Sequence, residues 1–252
     1  LIGKNKMSEE KIEKTKKLYL FDIDGTLCSP RQPMTEEFEE KFLKTFEDKE
    51  FALVSGACIK DILNQIPLSV AVKAKLIFAS SGNHVWANGV ELHKYDFTPP
   101  SSLIKYLEFE LENSDWTGER TGKHIDYRVG AINYSTIGIG SSQEVRDSYA
   151  TWDRYMKERN RIRNYIISRY PRVECSIGGQ VSVDIYEKGK GKEQLIDIIP
   201  SDTSLIFVGD KIYEGGNDYK LGMSINIHSR GCYYSVRSPI DTFYLLDELA
   251  KE

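Results

Sequence analysis

Four cysteines in 252 residues, Cys28, Cys58, Cys175 and Cys232, are too few and too widely spaced for a disulfide framework. Without a C-x-x-C pair they also offer no zinc site, and thiols used in this way point to a reducing cytosol as the expected compartment. No stretch approaches the roughly 18 consecutive apolar residues of a spanning helix, so no membrane partner is expected. A basic surplus is missing as well: the net charge of -4 leaves no footprint for nucleic acid. His84, His93, His124 and His228 are scattered without ligand spacing, and "GKGK" at 189–192 lacks the preceding Gly and following Ser or Thr of a nucleotide-binding P-loop. There is no internal repeat and no low-complexity stretch beyond the charged opening "LIGKNKMSEEKIEKTKK". That opening has no apolar core of a secretory signal. Residues 1–17 are read as an N-terminal extension, with the first six a candidate non-native addition.

What is present is ordinary for a globular protein, 40% apolar and 29% charged, and long enough for one large domain or two smaller ones. "LYLFDIDGT" runs Leu18, Tyr19, Leu20 and Phe21 as a buried strand and then sets Asp22 and Asp24 one residue apart at its end. Like charges that close resist joint ionisation unless a cation lies between them or one keeps its proton. "TEEFEEKFLKTFED" follows, with Phe38, Phe42 and Phe46 at helical spacing and Thr35 placed as N-cap. The strand "FALVSG", a short helix around Ile59 to Ile66 and the strand "KLIFAS" complete an alternation that reads as a parallel α/β sheet.

The pattern then changes. Asn88-Gly89 in "HVWANGVELHK" signals a hairpin, and "KHIDYRVGAINYSTIGI" gives two strands around Val129-Gly130. A long helical stretch spans 141–170, with Ser141 and Glu144 as a capping box and Pro171 beyond its end. "VECSIGGQVSVDIYE" adds strands, in which Ser182, Asp184 and Tyr186 oppose Val181, Val183 and Ile185. Likewise Asp126 and Arg128 share a face in "HIDYRVG". Such a polar face meets either water or a ligand. "SLIFVGD" and a final helix "PIDTFYLLDELAKE" return to the first pattern. The fold expected is therefore α/β, a Rossmann-like parallel-sheet core domain of residues 18–95 and 188–252, with an inserted α+β cap domain of 96–187.

Parallel sheets bind ligands at the carboxyl ends of their strands. Those ends carry Asp22 and Asp24, Ser55, and Asp210 with Asp218 from "LIFVGDKIYEGGNDYK". Four carboxylates on one edge imply a hard cation with oxygen ligands, Mg²⁺ being the expected one, held by Asp22, Asp24, Asp210 and Asp218.

"DIDGT" resembles the D-x-D-G-T signature of the haloacid dehalogenase-like phosphotransferases, and "GD" followed by "GGND" resembles their acidic fourth motif. That resemblance implies Asp22 as a nucleophile forming an aspartyl-phosphate, Asp24 as general acid and base, and Lys192 as the charge that offsets the phosphoryl group. Positioning and charge stabilisation are what phosphoryl transfer chiefly needs. "CSPRQPMTEE", "DYRVGAINYS", "SSQEVRD", "SIGGQVSVDIY" and "GDKIYEGGND" further resemble eukaryotic-type phosphomannomutases over roughly 18–220, weakest from about 97 to 120. Carried over from that family, Arg31, Arg128 and Arg146 grip phosphate, and Ser182 and Asp184 bind sugar hydroxyls or the distal phosphate. The resemblance implies interconversion of mannose 6-phosphate and mannose 1-phosphate, a hexose 1,6-bisphosphate activator, supply of GDP-mannose synthesis, and a homodimer joined through the cap.

Three departures stand out. "TIGIG" places Ile139 where the family has a phosphate-contacting arginine, "YKLGMSINI" shortens the loop after "GGND" and with it any second cation site, and Ser55 stands where the family more often has Gly. The same catalytic residues would serve a Mg²⁺-dependent sugar-phosphate phosphatase, which needs only water as acceptor. Retention of Arg128, Arg146, Ser182 and Asp184 favours the mutase and Ile139 the phosphatase. A non-catalytic scaffold would be expected to have lost Asp22 or Asp24.

Overall fold

The computed structural model describes residues 16–251. Most of the proposed N-terminal extension, including its first six residues, lies outside that range. The strands are β1 (Lys16–Asp22), β2 (Phe51–Val54), β3 (Leu76–Ala79), β4 (His84–Ala87), β5 (Val90–Lys94), β6 (Ile125–Arg128), β7 (Ala131–Tyr134), β8 (Val173–Gly178), β9 (Ser182–Glu187), β10 (Thr203–Gly209) and β11 (Gly231–Ser235). The helices are α1 (Glu36–Thr45), α2 (Ile59–Gln65), the single turn α3 (Leu68–Ala71), α4 (Ser101–Glu112), α5 (Gln143–Met156), α6 (Glu158–Arg169), the single turn α7 (Leu195–Ile198), α8 (Tyr219–Ile227) and α9 (Pro239–Leu249).

A seven-stranded sheet runs in the order β11-β10-β1-β2-β3-β4-β5. Pairing is parallel from β11 to β3, and the Asn88-Gly89 hairpin adds β4 and β5 antiparallel at one edge. Both turn residues have positive φ, the geometry a two-residue hairpin requires. Among the described residues β1 extends two residues ahead of the apolar run, because Lys16 and Lys17 pair with Thr203 and Ser204 on β10. Its unbroken apolar run reflects burial on both faces, as in other parallel sheets. Tyr19 and Phe21 pack with α1 and α9, while Leu18 and Leu20 pack on the side of α7 and α8. Phe21 meets Phe42 and Phe46 edge-on at 5.1 and 5.2 Å, so the helical Phe spacing is the anchor of α1. Burial of each such ring is worth about 1.5–3 kcal/mol.

A second, four-stranded antiparallel sheet has the order β6-β7-β9-β8. One of its faces carries Ile132, Tyr134, Val183 and Ile185 against Leu103 and Leu107 of α4 and Ile162 and Ile166 of α6. The helical stretch expected over 141–170 is two helices, since Lys157 adopts a left-handed conformation with φ of 58° and breaks the run. Its cap also lies one residue later than expected. Ser142 Oγ accepts from Val145 N, whereas Ser141 Oγ donates to the Ile137 carbonyl at 2.6 Å. After Asp218, "YKLGMSINI" is helix α8, not a shortened loop. Cys28, Cys58 and Cys175 are free thiols, and among the described residues no helix is long and apolar enough to cross a membrane.

Candidate active site

The register aligns the carboxyl ends of β1, β2 and β10: Asp22 lies opposite Val54, and Phe21 opposite Val208. Ser55, Asp22 and Asp210 therefore emerge side by side. Immediately after β1 the chain turns tightly, with Gly25 N, Leu27 N and Cys28 N donating to carbonyls within the same turn. Gly25 has φ of +90°, and a Cβ there would come within 2.5 Å of Asp210 Oδ2. Only glycine satisfies both the backbone and the close approach of the second acidic strand end.

Asp22 is buried. Its Oδ1 accepts from Lys192 Nζ at 2.5 Å and its Oδ2 from Thr26 Oγ1 at 3.2 Å. Lys192 also donates to Asp218 Oδ1 at 2.6 Å, so one wholly buried ammonium bridges two carboxylates. Burial pushes Asp22 up to about 8 against the pull of Lys192, with Asp218 and Asp210 adding to the rise. Lys192 itself is held above its ordinary value: Asp218 and Asp22 together outweigh its burial, the largest single effect and one that acts in the other direction. Lys211 donates from Nζ to Asp210 Oδ2 at 2.7 Å and from its backbone N to Asp218 Oδ2 at 3.1 Å.

Ligand atoms of Asp22, Asp210 and Asp218 all lie within 4.8 Å of one another. Asp210 Oδ1 and the neighbouring Asn217 Oδ1 are buried without a hydrogen-bond partner. An all-oxygen set with unsatisfied acceptors fits a hard cation such as Mg²⁺. Asp24 does not join this cluster, although the sequence placed it among the metal ligands. Its Oδ1 instead accepts from Arg31 N at 2.8 Å and Gln65 Nε2 at 2.9 Å.

The second sheet covers these strand ends with its polar face. Asp126, Asn133, Asp184 and Ser176 pair in one row across all four strands, and the last three are buried. The face therefore meets protein and cavity rather than bulk water. Asn133 Nδ2 donates to Asp184 Oδ1 at 2.6 Å, and burial raises Asp184 above the usual carboxylate range despite Arg128 and that bond. Between the sheets lies a cavity of about 230 Å³.

Seven of the residues expected in the site line this cavity: Asp22, Asp24, Arg31, Arg128, Arg146, Ser182 and Asp184. Lys192, Asp210 and Asp218 are not part of its lining: Lys192 ties Asp218 to Asp22, and Asp210 lies beside them in the acidic cluster. Arg128 donates to Asp126 Oδ2 at 3.0 Å and to the Gly56 carbonyl at 3.2 Å, spanning both sheets. Arg31 Nη1 reaches the carbonyl of Ile139 at 2.8 Å. Arg146 is 4% exposed, and its Nε and Nη1 are buried without a partner. Burial, with Arg31 adding to it, lowers Arg146 to about 10. Two guanidinium groups close together, one of them unpaired, form a site for an anion.

Sequence reasoning missed Gln65, Asn133, Lys211 and Asn217. Lys211 and Asn217 stand inside the motif "GDKIYEGGND", adjacent to the two aspartates that drew attention. Gln65 and Asn133 carried no signal of their own.

A parallel sheet with acidic strand ends and an antiparallel unit inserted over them is the haloacid dehalogenase-like fold. Solved structures with this fold include IMP-bound Plasmodium falciparum IMP-nucleotidase, with a TM-score of 0.60 at 14% identity, covering 95% of this chain and 69% of that one. A trehalose-6-phosphate phosphatase related protein matches with a TM-score of 0.54 at 15% identity over 93% of this chain and 97% of that one. The family profile "Eukaryotic phosphomannomutase" matches residues 38–252, and the chain belongs to that family. The match runs to the end of the chain, past the last motif that carried the resemblance in the sequence. Phosphomannomutase 1 of Dictyostelium discoideum is 31% identical over 241 residues, covering 91% of this chain and 95% of its own length. The phosphomannomutase of Saccharomyces cerevisiae is 30% identical over 246 residues, with 94% and 95% covered.

Proposed function

We propose that this chain interconverts mannose 6-phosphate and mannose 1-phosphate through an aspartyl-phosphate on Asp22 and a hexose 1,6-bisphosphate intermediate. The observation that carries this reading is the second anion site. Arg146, buried and unpaired beside Arg31, belongs to the unit that covers the strand ends, whereas the nucleophile belongs to the sheet below. A phosphatase needs one phosphate site, at the nucleophile. A mutase needs another for the phosphate at the far end of the sugar, because its bisphosphate must bind in both orientations.

In this reading residues 96–187 form the cap domain, and 18–95 with 188–252 the core domain. Mg²⁺ would be held by Asp22, Asp210 and Asp218, and when bound it neutralises charge on the transferring phosphoryl group. Asp22 attacks phosphorus of the 1,6-bisphosphate, and the P–O bond to the sugar breaks. Asp24 gives its proton to the departing sugar oxygen. Lys192 offsets the negative charge as Asp22 becomes an aspartyl-phosphate. Arg31, Arg128 and Arg146 hold the distal phosphate, and Ser182 and Asp184 the sugar hydroxyls. A hexose monophosphate bound with its free hydroxyl toward Asp22 then gives the hydroxyl proton to Asp24 and attacks the aspartyl-phosphate. The bond from phosphorus to Asp22 breaks, the carboxylate is restored, and the bisphosphate so formed turns end for end before the next transfer.

The same reading gives a cytoplasmic enzyme that supplies GDP-mannose synthesis and works as a homodimer through its cap. Half-exposed Phe109 and Tyr165, on α4 and α6 of the cap, support that contact. Neither a nucleic acid nor a membrane is part of it. A phosphatase is the second reading, favoured by one observation: Ile139 brings a side chain without charge to the cavity wall where the family has arginine.

Incubation with mannose 1-phosphate, Mg²⁺ and a trace of hexose 1,6-bisphosphate distinguishes the two. Mannose 6-phosphate should accumulate with little free phosphate, whereas stoichiometric phosphate without the isomer would refute the mutase. Parallel incubations with glucose phosphates compare the two sugars.

A further inference from the structure

Asp24 carries the proton in the mechanism above, and the inference here rests on that reading. Its Oδ1 faces two nitrogen donors, Gln65 Nε2 at 2.9 Å and the backbone N of Arg31 at 2.8 Å. Neither can accept a hydrogen bond, so a proton on Oδ1 would point at another donor. The exchangeable proton is thereby confined to Oδ2. Gln65 is itself fixed: its side chain is buried at the end of α2, its backbone carbonyl accepts from Met34 N at 2.8 Å, and its Nε2 also donates to Cys28 Sγ at 3.6 Å. Arg31 holds its own amide in place through a left-handed backbone, with φ of 60°.

Asp24 stands two residues from Asp22, within the electrostatic reach of a cation at the acidic cluster. A carboxylate free to rotate there would be drawn toward such a cation and away from the sugar oxygen. We propose that Gln65 is a positioning residue for proton transfer: its amide holds the Asp24 carboxylate out of the acidic cluster and aims Oδ2 into the cavity. Gln65 lines the same cavity, but its amide donates to Asp24 Oδ1 and to Cys28 Sγ, and its effect on the reaction runs through Asp24.

Gln65→Met keeps the length of the side chain and removes the donor. Gln65→Glu keeps the shape and replaces the donor with an acceptor, and it serves if the first variant does not fold. Two rates are compared in each variant. One is steady-state turnover of mannose 1-phosphate with trace bisphosphate, in which the leaving sugar oxygen must receive a proton. The other is the first-turnover release of acetate from acetyl phosphate, in which Asp22 takes the phosphoryl group and acetate departs as an anion without a proton.

Misaiming a catalytic group commonly costs about a hundredfold. Both variants should lose about that much in kcat for the sugar phosphate, with KM within about threefold and acetate release within about twofold of wild type. Loss of both rates together, or of neither, would overturn the positioning role. Asp24→Ala is the control for the reading beneath it. If that variant also fails to separate the two rates, Asp24 is not the proton carrier. If it separates them while Gln65→Met and Gln65→Glu do not, the inference about Gln65 alone fails.

Discussion

A nucleophile buried this deeply should make the metal-free protein less stable as the pH rises. Burial lifts Asp22 from the ordinary carboxylate value of 3.8 to about 8, so within that window the folded state holds a proton that the unfolded chain has released. A raised folded-state value means that the group's contribution is fully present below the unfolded value, falls between about 4 and 8, and is constant above. One proton is worth up to about 1.4 kcal/mol per pH unit. For a protein of this size that is roughly 3–5 °C in Tm per pH unit. Asp210 and Asp184 are raised too, so the useful quantity is a difference: Tm of the wild type minus Tm of Asp22→Asn, from pH 5 to 8 in EDTA. That difference should fall steadily. Saturating Mg²⁺ should raise the wild-type Tm more at pH 8 than at pH 5, because a cation competes with the Asp22 proton. Parallel lines for the two proteins in EDTA, or a Mg²⁺ increment independent of pH, would refute the reasoning.

Gly25→Ala forces a Cβ to within 2.5 Å of Asp210 Oδ2 in a backbone with φ of +90°. We expect a loss of about 1–3 kcal/mol in urea denaturation and weaker Mg²⁺ binding by titration calorimetry. Arg146→Met should raise KM for the hexose bisphosphate by more than tenfold while sparing acetate release from acetyl phosphate, measured by steady-state and first-turnover kinetics. Ile139→Arg restores the charge that the family places there. It should raise the ratio of isomer formed to phosphate released, read by following both products in one reaction.

The large sheet was legible because each strand carries its own evidence. An uninterrupted "LYLF" or "LIFV" has no polar face, and only burial on both sides accommodates it. The acidic strand ends were legible for the same reason, as charges abruptly terminating apolar runs. Less legible was anything set by a single backbone torsion. Nothing about Lys157 announces a left-handed residue, yet it divides one expected helix into two. The choice between Ser141 and Ser142 as cap turns on a hydrogen bond to the Ile137 carbonyl that no local pattern reports. The strand-end position of Asp24 groups it with the other carboxylates, whereas the partner of its Oδ1, Gln65, lies 41 residues away and no local pattern reports it. The polar row through Asp184 could be read as facing water or a ligand, and only the packing of one sheet over the other decided between them.

The way the two sheets meet bears on what a mutase must do between its half-reactions. Each hydrophobic cluster among the described residues lies wholly in one unit or the other: two in the large sheet and its helices, two in the smaller. What joins the units is polar. Arg128 reaches the Gly56 carbonyl, Arg31 the Ile139 carbonyl, Ile177 N the Gly215 carbonyl, and Tyr95 the carboxylate of Glu187. Such bonds exchange for water on separation at a net cost of about 0.5–1.5 kcal/mol each, more where a guanidinium is involved, whereas parting an apolar core would cost far more. Two well-packed units with a hydrogen-bonded seam can therefore open without either losing its fold. Under the proposed mechanism the bisphosphate has to turn end for end between two phosphoryl transfers, and a polar seam allows it room to do so while Asp22, Lys192 and Asp218 stay assembled in the lower unit.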